Sequence, residues 1–115
     1  MPADCIFCRI IAGQVDGKIL YHDQVVTAFL DAHPVTPVHI LIVPNKHIAS
    51  LTDLEVGDTE LIGKMTLVAR QIAREHGVEK SGYRLVINTG ADAGQSVFHL
   101  HMHLIAGQHL GSRHT

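Results

Sequence analysis

The sequence has no tryptophan, only three phenylalanines and two tyrosines, two cysteines, and no apolar run of membrane-spanning length. Each shortage excludes something. Without a stretch near ~20 apolar residues no transmembrane helix is expected, and the opening MPADCIFC lacks the basic start and apolar stretch of a secretory signal, so a cytoplasmic address is expected. Two cysteines do not build a disulfide scaffold in that compartment. Nine Lys and Arg against eleven Asp and Glu, a formal net charge of -2, set out no basic face for phosphate neutralisation, so neither nucleic acid nor membrane is an expected partner. A 17% charged fraction beside 46% hydrophobic residues argues against disorder, and 115 residues suit one domain over 1–115 with a polar tail at 107–115. What the chain has in excess is histidine, ten residues of it.

Residues 5–13 carry Ile6, Phe7, Ile10 and Ile11 at helical spacing and end at Gly13, which predicts a short helix. Residues 18–21 and 25–31 are rich in β-formers and flank the turn-like His22-Asp23-Gln24, a hairpin pattern. Residues 39–43, between Pro37 and Pro44, read as a buried strand. Thr52 and Glu55 fit a capping box, and Leu61, Ile62, Met65, Val68, Ala69, Ile72 and Ala73 then repeat at helical spacing to Gly77. Gly57 places the start of that long helix near Asp58. Residues 84–88 and 97–105 alternate as strands around a glycine-rich stretch, 89–95.

His99, His101 and His103 stand at every second position, and two is the period of side-chain direction in a strand, so all three rings share one face. On a helix, His99 and His101 would diverge by about 200°. Leu100, Met102 and Leu104 then face the core. Such a set admits a polar strand face, a three-histidine catalytic zinc site, or imidazole catalysis.

The stretch Gly94-Gln95-Ser96-Val97-Phe98-His99-Leu100-His101-Met102-His103-Leu104-Ile105 resembles the signature of the histidine-triad (HIT) superfamily, with Ser96 as in its Hint branch of purine nucleoside phosphoramidases. Residues 5–13, 28–31 and 39–48 are similar to the family's N-terminal segment, ribose-side strand, and central strand and turn. The resemblance implies an α+β fold, an antiparallel sheet with one main helix and a short N-terminal helix, and a homodimer. It implies a hydrolase that cleaves nucleoside 5′-phosphoramidates at the α-phosphorus, with no organic cofactor.

Displacement at phosphorus needs an in-line nucleophile, neutralisation of the equatorial oxygens and a proton for the leaving group. The resemblance assigns the attack to His101, through a nucleotidyl-histidine intermediate, with His103 beside the phosphate and His39 in support. Gly94, Gln95 and Ser96 would offer donors to phosphate oxygens, Ser96 also passing a proton to the leaving amine. Asp31 would accept from the ribose hydroxyls, Asn88 reach phosphate or ribose, and Phe7, Ile10 and Phe29 line the purine pocket. Those three apolar residues would equally suit a core, and Asp31 a turn.

Cys5 and Cys8 form a C-x-x-C pair that admits a redox motif, half a zinc site or chance; no strand precedes it, as a thioredoxin-like motif requires. The resemblance implies a structural zinc on Cys5, Cys8, His47 and His99. A closed Cys2His2 site would tie the N-terminus to the triad without touching substrate. The chain departs from the Hint branch in lacking a tail tryptophan and in carrying Leu30 where some relatives have histidine. Two rival functions remain open here: a dinucleoside polyphosphate hydrolase, and a nucleotide-binding regulatory module with little turnover.

Overall fold

A computed structural model describes residue 2 and residues 4–112. Its centre is a five-stranded antiparallel sheet in the order β1-β2-β3-β5-β4, made of β1 (Ile19–His22), β2 (Val26–Leu30), β3 (Val38–Pro44), β4 (Tyr83–Val86) and β5 (Met102–Ala106). A short helix α1 (Ile6–Ile11) and a long helix α2 (Thr59–Glu75) complete it. The α+β expectation holds. Among the described residues no helix is long and apolar enough to cross a membrane.

The β1–β2 hairpin is made by its turn residue. One oxygen of Asp23 accepts from the Val25 and Val26 amides at 2.7 and 2.8 Å; the other takes the Tyr21 hydroxyl and Lys64 of α2. Burial opposes ionisation, but these donors hold the Asp23 carboxyl below the usual carboxylate range.

Alternation along β3 and β5 gives the sheet two different faces. Ile40 and Ile42 of β3 and Met102 and Leu104 of β5 join Met65, Val68, Ala69, Ile72 and Ala73 of α2 in the larger core. The opposite face carries Phe29, Leu41 and Val43, covered by Phe7 and Ile10 of α1. Register sets Leu41 opposite His103 and His39 opposite Ile105, so both imidazoles belong to this second face.

Beyond shifts of one or two residues at the ends of the other elements, two expected boundaries move. The capping box is not at Thr52 and Glu55: Ser50 caps a single turn Leu51–Asp53, and Asp58 accepts from the Glu55 amide around a second turn, Val56–Asp58, before α2 begins at Thr59. The last strand, expected over 97–105, pairs only from Met102. The β3 ladder ends there because Pro44 has no N–H to give and its carbonyl accepts from the His99 ring at 2.8 Å. Leu100 N–H instead bonds to the Ile48 carbonyl at 2.7 Å, and Leu100 stays in the larger core, so the inside-outside alternation survives without the ladder.

Candidate functional site

His101 leads into β5 and is buried. Its Nδ1 lies 2.8 Å from the backbone carbonyl of His99. A carbonyl only accepts, so Nδ1 carries the proton and, in the neutral ring, the lone pair sits on Nε2. The ring is held edge-on by Phe7 at 5.2 Å between centroids and 85° between planes, and stands 5.0 Å from the ring of His103. An oriented neutral imidazole with one free nitrogen is what in-line attack requires.

His103 and His39 come together from neighbouring strands, His103 Nδ1 lying 2.9 Å from His39 Nε2. That same Nε2 is 3.2 Å from an oxygen of Asp31, and His39 Nδ1 accepts the Val35 amide at 3.1 Å. Burial first, then the imidazoles of His101 and His39, push His103 down to about 4 against the opposing pull of Asp31. That shift favours the neutral ring, which keeps one N–H able to donate a hydrogen bond.

Phe7 and Phe29 pack edge to face at 5.2 Å and, with Ile10, Leu41 and Val43, form the apolar floor beside these imidazoles. The other oxygen of Asp31 accepts the His33 amide at 2.8 Å. Asn88 lies half-buried just beyond β4, whose Val86 stands opposite His103. Gly94 has φ +89°, which favours glycine, at the end of a tight turn. The buried Gln95 side chain donates to the carbonyls of Ala49 and Val97 and accepts the Gly90 amide, so it braces the loop and has no side-chain donor left for a ligand. Ser96 is exposed on the wall of a groove of about 440 Å³, with Cys5, Ile6, His47 and Phe98.

A second cluster joins α1 to the segment before β5. Cys5, Cys8, His47 and His99 place their donor atoms close enough together to hold a metal ion. His99 and His47 face each other through Nδ1 at 3.2 Å, and the sulfurs lie 3.3 to 3.5 Å from these nitrogens. A tetrahedral ion with bonds of about 2.3 Å to sulfur and about 2.0 Å to nitrogen sets two nitrogens about 3.3 Å apart and a sulfur about 3.5 Å from a nitrogen, which these contacts match. The tautomer agrees as well: His99 Nε2–H is committed to the Pro44 carbonyl, which leaves the Nδ1 lone pair facing the thiols. Burial, with the Cys5 thiol beside it, raises the Cys8 thiol to about 11, so a cation is what would make Cys8 a thiolate.

A backbone partner selects each ring's tautomer: the His99 carbonyl for His101, the Pro44 carbonyl for His99 and the Val35 amide for His39. Sequence reasoning missed all three, since every residue carries these atoms.

A family model described as the HIT domain matches residues 12–110. A purine nucleoside phosphoramidase of Escherichia coli is 42% identical over 111 residues, covering 96% of this chain and 93% of that protein. Among solved structures, a HIT family hydrolase from Clostridium thermocellum superposes with TM-score 0.97 at 36% identity over the whole of both chains. A histidine triad protein from Clostridium difficile does so with TM-score 0.94 at 41% identity, over 97% of each chain.

Proposed function

This chain belongs to the HIT domain family, and on that premise we propose that it is a purine nucleoside phosphoramidase, a nucleotide hydrolase in which His101 is the nucleophile. His101 Nε2 attacks the α-phosphorus; an N–P bond forms as the bond from phosphorus to the leaving amine breaks, and Ser96 passes a proton to that amine. Water then cleaves the nucleotidyl-histidine, its proton returning to Ser96 as the N–P bond breaks and neutral His101 is restored, and a nucleoside monophosphate is released. His103, supported by His39, donates to the phosphate oxygens, with Ser96 as the donor from the 94–96 loop, since the Gly94 and Gln95 amides already bond to the Ala91 and Gly90 carbonyls. Asp31 takes the ribose hydroxyls, Asn88 the ribose or phosphate, and Phe7, Ile10 and Phe29 the purine.

The observation that carries this reading is the 2.8 Å contact from His101 Nδ1 to the His99 carbonyl, which frees Nε2. The 42% identity to a phosphoramidase over 96% of the chain supports the choice of substrate.

We further propose that zinc occupies Cys5, Cys8, His47 and His99, tying α1 to the catalytic segment and taking no part in the reaction. The active form is a homodimer in the cytoplasm. The outer edge of β4 supports dimerisation, having no strand beside it among the described residues.

Hydrolysis of adenosine 5′-phosphoramidate beside diadenosine tetraphosphate, with nucleoside monophosphate release as readout, tests the function. Faster phosphoramidate turnover, lowered about 10³-fold or more in His101→Ala, is the expected outcome. Preference for the tetraphosphate replaces the substrate and keeps the nucleophile; turnover untouched by the substitution removes the mechanism, and none in wild type makes the protein a binding module.

A further inference from the structure

Asp31, His39 and His103 bring one carboxylate oxygen and two ring nitrogens together closely enough to hold a cation. The atoms around His39 decide against that use. Its Nδ1 meets the backbone N–H of Val35 at 3.1 Å, and an amide N–H only donates, so Nδ1 presents its lone pair. Its Nε2 stands 3.2 Å from an Asp31 oxygen, an ion-pair contact and not a hydrogen bond, and a carboxylate at that distance repels a second lone pair on Nε2. The Val35 amide thus requires the tautomer with hydrogen on Nε2, and the Asp31 carboxylate on the opposite edge of the ring favours the same one. A metal on Nε2 of a neutral ring would need that hydrogen on Nδ1, against the Val35 amide.

The consequence passes to the next ring. His39 Nε2–H lies 2.9 Å from His103 Nδ1, nearer than the Asp31 oxygen, and donates to it. His103 Nδ1 therefore carries the lone pair, and the one hydrogen of the neutral His103 ring is on Nε2, the nitrogen left for a ligand beside His101.

We propose that the backbone N–H of Val35, with the carboxylate of Asp31, sets the proton positions of the catalytic imidazoles, holding His39 and through it His103 in the Nε2–H tautomer. Val35 and Asp31 are positioning residues here. Val35 acts only through its amide, its side chain being 71% exposed. Asp31 is fixed for this role because its other oxygen accepts the His33 amide at 2.8 Å. The chain of donors runs from the loop between β2 and β3 across two strands to the phosphate position. The proposal rests on the phosphoramidase reading for the use made of the donor; the tautomers belong to the free protein.

Long-range proton–nitrogen correlation of the imidazoles at neutral pH, in the full protein without nucleotide, tests the tautomers directly. The expected result is hydrogen on Nε2 in both His39 and His103. A dominant Nδ1–H form of either ring overturns the proposal whatever the substrate proves to be. Val35→Pro removes the amide hydrogen. It is expected to mix the His39 tautomers and lower kcat about tenfold with KM within about twofold; an unchanged His39 tautomer in a folded variant overturns it. His39→Gln keeps an N–H donor toward His103 where His39→Leu has none, so the Gln variant should exceed the Leu variant at least about tenfold in kcat. Equal rates for the two mean that His39 only fills space. If no phosphoramidate is hydrolysed by wild type, the functional reading fails, and the nitrogen correlations still decide the tautomers.

Discussion

At the scale of single residues, His103 connects stability to chemistry. Folded, burial first and then the neighbouring imidazoles hold it at about 4; in the unfolded chain a histidine titrates near ~6.5. Between those values the unfolded chain binds more protons. The stability associated with the neutral ring is thus complete above pH ~6.5 and is lost as the pH falls toward ~4. Thermal unfolding followed downward from neutral pH should show this loss, and His103→Gln, which has nothing to titrate there, should flatten that part of the curve. An identical slope in the variant would assign the loss to other groups. The triad was legible because the period of two survives even where the strand does not. Its tautomers were not, because their partners are the amide of Val35 and the carbonyls of Pro44 and His99. The sequence expectation of a Gln95 side-chain donor to phosphate also meets a local fact it had no means to foresee, the capture of that amide by the Ala49 and Val97 carbonyls.

At the scale of elements, α1 is six residues long, too short to be stable by helix formation alone, so its position comes from what it touches. It touches two things, the apolar floor through Phe7 and Ile10 and the donor cluster through Cys8. Cys8→Ser should reduce bound zinc from about one per chain to a small fraction and lower the Tm by several degrees, as loss of a structural metal does. Metal analysis beside calorimetry checks it; full zinc retention in the variant would remove Cys8 from the site. The helices were legible from spacing: α2 runs Thr59–Glu75 with Met65, Val68, Ala69, Ile72 and Ala73 buried, and Gly77 follows with φ +71°. The start of the last strand was not, since alternation continues through residues 99–101 after pairing has stopped. The capping box failed for a related reason. Ser50 and Asp58 cap two short turns, and a Thr-x-x-Glu pattern cannot show which nearby polar residue captures the free amides.

At the scale of the whole molecule, the sheet separates two tasks. One face, against α2, is a continuous apolar core; the other holds Phe7, Phe29, His39, His101 and His103. A fault on the first face should therefore cost stability and spare chemistry. Ile72→Ala, at a residue 1% exposed, should lower unfolding free energy by about 2 to 5 kcal/mol while kcat at a temperature where the variant is folded stays within about twofold. Denaturant titration and steady-state kinetics measure the two effects separately. A large fall in kcat with the fold intact would mean that the faces are coupled. The central claim is that phosphorus is attacked twice, first by His101 and then by water. Hydrolysis of a nucleoside 5′-phosphoramidate made chiral at phosphorus with oxygen isotopes tests that most directly, since each in-line displacement inverts the centre. Two displacements give net retention, the result this account predicts; net inversion would show a single attack by water and contradict it.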